Sequence, residues 1–182
     1  MSMEKLTKLF NPKVIAIVGA SAKKGSVGYS LMKNIIASGF DGIVYPINPT
    51  RTNVLGVKAY SSLEDVPDKI DLAIIVTPAQ TVPEIVESCG IVGVASILLI
   101  SAGFAEAGEE GKKLMKQIDE TIRRYKIRLI GPNCLGFIKP SIKLNASFAS
   151  KMALPGKIAF ISQSGALCTA VLDWSIKQNV GF

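Results

Sequence analysis

The chain has 182 residues, 48% of them hydrophobic, and carries 21 basic against 14 acidic side chains for a formal charge of +7. That length holds one full α/β domain and part of another, and the apolar content excludes a disordered chain. Three dispersed cysteines (Cys89, Cys134, Cys168), with no CxxC pair and no histidine, argue against a zinc site and against a Cys–His nucleophile pair.

In chain order, residues 1–10 are a short amphipathic stretch and not a signal peptide. Residues 13–18 read as a first strand, followed by glycines and by a helix over 29–38 that Gly39 closes. Residues 42–47 form a second strand ended by Pro49, and 61–66 a short capped turn of helix. Residues 71–76 are a third strand, and 81–88 a helix that tolerates Pro83 only in its first turn. The apolar run 91–100 falls short of the roughly 20 residues a membrane span needs, and its part from Ala95 on reads as a fourth strand buried on both faces. A long helix over 109–125 places Leu114, Ile118 and Ile122 along one face, and 127–130 is a fifth strand. Beyond Gly131, prolines and glycines interrupt the periodicity until a strand over 157–161 and a helix over 164–178.

Strands alternating with helices imply right-handed crossovers and a Rossmann-like, doubly wound parallel sheet. The boundary falls near 153–155. Residues 1–153 are one domain, and 154–182 open a second α/β domain with its first βα unit. One strand and one helix cannot close a core, so this second part reads as cut short or completed by a partner, and oligomerisation is expected.

Ligands of such sheets bind beyond the carboxyl ends of the strands. The first loop there is Gly19-Ala-Ser-Ala-Lys-Lys-Gly-Ser-Val-Gly28, with glycines for close approach, the hydroxyls of Ser21 and Ser26, and helix-start amides that favour an anion. It is not GxGxxG, since Ser21 stands where the second glycine belongs. The second loop, Tyr45-Pro-Ile-Asn-Pro-Thr-Arg51, lacks the acid that NAD-binding domains place after the second strand. Asn48 suits a ribose or base, and Arg51 a phosphate. The third loop has Thr77, Pro78 and Ala79, with room for a flat ligand against backbone. The fourth has Ser101 and Gly103 among small residues, with Glu106 and Glu109 as partners of a helix dipole. The fifth holds Asn133 and Cys134, and without a histidine to activate it Cys134 reads as structural. The sixth, Ser162-Gln163-Ser164-Gly165, makes a phosphate cradle or a plain serine cap. The scattered basic residues, without interleaved aromatics, suit an anionic small molecule rather than nucleic acid.

Taken together, Val18-Gly-Ala-Ser21 with Gly25-Ser-Val-Gly28, Tyr45-Pro-Ile-Asn-Pro49, Val76-Thr-Pro-Ala79, Ile130-Gly-Pro-Asn-Cys-Leu-Gly136 and Ile161-Ser-Gln-Ser-Gly165 resemble the NDP-forming acyl-CoA synthetases. That family comprises the α-subunit of succinyl-CoA synthetase and, closer in wording, the ADP-forming acetyl-CoA synthetases. The resemblance implies that the first domain binds coenzyme A along its carboxyl edge. Gly19, Ala20, Ser21, Lys23, Gly25, Ser26 and Val27 then meet the CoA phosphates. Asn48, Pro49 and Arg51, with Thr77, Pro78 and Ala79, meet the adenosine part. Ser101 and Gly103 border the channel, and Asn133 and Cys134 lie near the thiol and acyl end. Ser162, Gln163, Ser164 and Gly165 hold phosphate at the start of a flavodoxin-like second domain. A histidine later in that domain carries the phosphoryl group, and an ATP-grasp domain or subunit binds ATP or ADP with Mg. The implied reaction interconverts a small-molecule acid, CoA and ATP with acyl-CoA, ADP and phosphate, in the cytoplasm.

One departure bears on activity: the chain has no histidine, so the phosphorylated residue is expected past Phe182 and the 182 residues alone are expected to be inactive. Two other readings keep the fold. One is an NADP-binding oxidoreductase domain, which retains Arg51 but lacks a Tyr-x-x-x-Lys pair. The other is a non-catalytic CoA-sensing module.

Overall fold

In a computed structural model that describes residues 3–182, five parallel strands form the central sheet: β1 (Val14–Val18), β2 (Ile43–Ile47), β5 (Leu72–Ile75), β6 (Ser96–Leu99) and β7 (Arg128–Ile130). They lie in the order β2-β1-β5-β6-β7. The strand order therefore reverses between β1 and β5, the switch point at which doubly wound sheets open a crevice. Alternate residues face opposite ways. Ala16, Val18, Ala73, Ile75, Ile97 and Leu99 pack under α3 (Val82–Ile91) and α4 (Glu109–Tyr125). Ile15, Ile17, Leu72, Ile74 and Leu98 pack under α2 (Val27–Ser38) and α1 (Met3–Phe10). The five predicted strands of this part form, as do the helices predicted over 29–38, 81–88 and 109–125, and both central strands β5 and β6 are buried throughout. Met1 and Ser2 of the amphipathic start lie outside the described residues.

The amino edge of the sheet is closed. Asp71 accepts hydrogen bonds from the amides of Lys13 (2.9 Å) and Val14 (3.2 Å) and faces Lys8 at 3.6 Å. Lys5 donates to the carbonyl of Lys126 at 2.7 Å, which ties α1 to the end of α4. The loops that follow the strands lie at the opposite, carboxyl edge.

Two hairpins lie outside the strands expected from the sequence. β3 (Asn53–Val54) and β4 (Val57–Lys58) are joined through Leu55 and Gly56, both at positive φ (51° and 83°), the turn that matches strand twist. β8 (Gly136–Lys139) pairs antiparallel with β9 (Leu144–Ser147), which lies against α2. Asn34 of α2 donates to the carbonyls of Ser147 (2.8 Å) and Ala149 (2.7 Å) and pins the chain leading to the last helix.

Two expectations are corrected. Residues 61–66 form a turn rather than a helix, because Asp65 accepts from the Ser62 amide (3.1 Å) and from the hydroxyls of Ser61 and Ser62, a side-chain alternative to helical bonding. Residues 157–161 form no strand, and Ile161 is 94% exposed. An apolar run becomes a strand only where neighbouring backbone pairs with it, and here the pairing falls earlier. Phe182 donates to the Leu154 carbonyl and accepts from the Gly156 amide, both at 2.8 Å. Between these segments runs α5 (Gly165–Lys177), packed by Leu172 and Ile176 against Leu135, Ile138 and Ala153. No helix among the described residues is long and apolar enough to cross a membrane.

Candidate functional site

Five loops meet at the carboxyl edge, and the reasons are local. The loop after β1 leaves the strand through Gly19, at φ 92°, where a Cβ would lie 3.0 Å from the Thr77 methyl. Behind it, the first turn of α2 comes so close that a Cβ on Gly28 would collide with the Gly19 carbonyl oxygen. Only glycine at both positions lets the helix N-terminus approach the strand end, which aims the free amides of the helix start at the crevice. Ser26 caps α2, accepting from the Tyr29 amide (3.2 Å) and donating to the Lys23 carbonyl (2.8 Å). Ser21 accepts from the Lys23 amide at 3.0 Å. Lys23, Lys24, Gly25 and Val27 are exposed on this rim.

The other loops are stitched to it. Asn48, at the end of β2, donates its amide to the Ala20 carbonyl at 2.8 Å. Its oxygen accepts from the Thr50 amide (3.0 Å) and the Arg51 amide (3.1 Å). Sequence reasoning assigns that carboxamide to a ribose or base, whereas both of its ends are engaged within the protein. Pro49 and Arg51 stand exposed beside it. Ser101 donates to the Thr77 carbonyl at 2.6 Å, and its own carbonyl accepts from the Asn133 amide at 2.9 Å, which joins the loops after β5, β6 and β7. Gly103 approaches the buried Ala79, 3.0 Å from a Cβ position to the Ala79 methyl, while Pro78 is exposed. Glu106 accepts from the Gly103 amide at 2.8 Å, and that backbone bond holds its carboxyl below the usual range. It is a loop clasp, where sequence reasoning makes it a helix-dipole partner. Glu109, read the same way, sits in the first turn of α4 and pairs with Lys112 at 2.8 Å.

The sixth loop adjoins the fifth. Ser164 caps α5, accepting from the Leu167 amide (3.2 Å), and Ser162 accepts from the Ser164 amide (3.1 Å). A Cβ on Gly165 would sit 3.7 Å from Leu135, in the loop after β7. Gln163 is exposed beside them. The structure thus gathers all six predicted loops along one edge of the sheet, and the loop after β1 and the sixth loop each open a helix, α2 and α5. No group of three or more metal-ligating side chains occurs among the described residues.

Residues 13–140 match the CoA binding domain family. The chain belongs to that family. Residues 155–182 match the succinyl-CoA ligase like flavodoxin domain. The α-subunit of the ADP-forming acetate–CoA ligase I of Pyrococcus furiosus is 47% identical over 180 residues, 97% of this chain and 39% of that protein. The ADP-forming 4-hydroxybutyrate–CoA ligase of Nitrosopumilus maritimus is 43% identical over 96% of this chain and 25% of that protein. Among solved structures, acetyl-coenzyme A synthetase 1 of Ca. Korarchaeum cryptofilum, in complex with phosphate and ADP, superposes with a TM-score of 0.93 at 40% identity, covering 98% of this chain and 38% of that one. The chain therefore spans about two fifths or less of the length of these relatives.

Burial shields two of the thiols. Cys134 is half-buried, donates to the Leu99 carbonyl at 3.4 Å, and is pushed up in pKa by desolvation. Cys89 lies on the buried face of α3 and is pushed up by the same cause. Since the thiolate is the reactive species, iodoacetamide at pH 7 is expected to modify Cys134 more slowly than free cysteine, and Cys89 only after unfolding. Peptide mapping of a labelling time course checks this.

Proposed function

We propose that the 182 residues are the CoA-handling part of an ADP-forming acyl-CoA synthetase, with coenzyme A lying along the carboxyl edge between β1 and β5. The observation that carries this reading is the Gly19–Gly28 approach, which delivers the N-terminus of α2 to the switch point. Amides of residues 21–28 and the exposed Lys23 bind the pyrophosphate. Arg51 takes the ribose phosphate, which it suits by its bidentate geometry. Asn133 and Cys134 flank the path toward the thiol. Ser162, Ser164 and the amides opening α5 hold inorganic phosphate near the acyl end, which the contact between Gly165 and Leu135 supports. In this role the residues bind, orient and neutralise charge, and bond-making falls to groups elsewhere.

The division we propose sets residues 1–153 apart as the CoA-binding domain and 154–182 as the opening of the succinyl-CoA-ligase-like domain. The full enzyme would use ATP or ADP with Mg on an ATP-grasp domain or subunit, act on a small organic acid in the cytoplasm and assemble as an oligomer. Relatives named for acetate and for 4-hydroxybutyrate are comparably similar, so the acid is left at the level of a small carboxylate.

Calorimetry of the isolated chain tests this. CoA should bind in the micromolar range and NADP at least about tenfold more weakly. Arg51→Ala should cost roughly tenfold, the range of one charge-assisted hydrogen bond, and flatten the dependence on salt. Acyl-CoA formation from acid, CoA and ATP should be undetectable, since the chain has no histidine to carry phosphate. NADP binding in preference to CoA would overturn the proposal.

A further inference from the structure

Resting on the CoA reading above, we propose that Asn48 is a positioning residue whose single carboxamide sets the phosphate loop with its nitrogen and the arginine loop with its oxygen. Asn48 is half-buried at the end of β2, next to Ile47, whose carbonyl accepts from the Gly19 amide at 3.2 Å. From there its nitrogen reaches across to the carbonyl of Ala20, a fully buried residue, at 2.8 Å. That bond fixes the peptide plane between Ala20 and Ser21, and with it the direction of the first amide offered to an anion. Its oxygen accepts from the Thr50 amide and hydroxyl, both at 3.0 Å, and from the Arg51 amide at 3.1 Å. This turn sets the backbone from which the exposed Arg51 side chain extends. The two tasks belong to different atoms, so different substitutions separate them. Aspartate keeps the acceptor and loses the donor toward Ala20, and alanine loses both.

Amide hydrogen exchange of the ligand-free chain, read beside CoA calorimetry, decides the matter. Asn48→Asp should speed exchange at residues 20–26 about tenfold and leave the amides of Thr50 and Arg51 unchanged. Asn48→Ala should speed both segments. CoA affinity of the alanine variant should fall about tenfold, the range of one hydrogen bond, while its thermal midpoint stays within a few degrees of wild type. Arg51→Ala should weaken CoA without touching exchange at 20–26. If both Asn48 variants leave exchange at 20–26 at the wild-type rate, the inference is wrong. A loss of affinity under that condition would mark Asn48 as a direct ligand group. If the wild-type chain bound no CoA, the proposed function would fall, yet the exchange pattern would still decide the positioning role.

Discussion

Gly28→Ala should remove CoA binding, by about a hundredfold or more, and lower the unfolding free energy by roughly 1–3 kcal/mol, the usual range for overpacking. The added Cβ collides with the Gly19 carbonyl oxygen, a backbone atom. Gly19 has little room to yield, because it sits at φ 92° with its own Cβ direction 3.0 Å from the Thr77 methyl. Relief therefore requires α2 to back away from β1, which withdraws its N-terminus from the crevice. Gly25→Ala is the control. A Cβ there meets nothing within 4 Å, although φ is 85°, so only backbone strain of about 1–2 kcal/mol is expected. Urea titration and calorimetry of both variants separate the two effects.

Phe104→Ala should be the most destabilising single change at the ligand edge, costing about 3–5 kcal/mol. Phe104 is fully buried in the cluster under α3 and α4, and its carbonyl abuts Gly111 in the first turns of α4. It anchors the loop after β6, whose Gly103 lies against Ala79. For a chain of this length the loss corresponds to a thermal midpoint lower by roughly 6–20 °C, read by calorimetric scanning. Because the loop loses its anchor, CoA affinity should fall as well, even at temperatures where the variant stays folded.

The main architecture was legible in the sequence because apolar strands buried on both faces leave an unmistakable run, as in Leu72–Ile75, and because glycines ended helices where Gly39 does. The hairpins were not, since β3 and β4 have two residues each and their turn uses Leu55 at positive φ. Residues 157–161 misled for the opposite reason: apolar composition suggested a strand, but strand formation depends on a neighbour that the composition does not reveal. For the site, glycine and serine spacing picked out loops that the fold brings to one edge of the sheet. Chain order could not tell which polar side chains also stitch the loops together. Asn48 binds Ala20, Ser101 binds Thr77 and Glu106 binds Gly103. The first two of these contacts join segments more than twenty residues apart, beyond the reach of local pattern.

The most direct test follows backbone amide resonances of the isotope-labelled chain during a CoA titration. Saturable shifts should concentrate at residues 19–28, with smaller ones at Thr50, Arg51, Thr77 and Ala79, and the amino edge around Lys13 and Asp71 should stay silent. Shifts centred on the amino edge or on the outer face of α4, with 19–28 unmoved, would contradict the account.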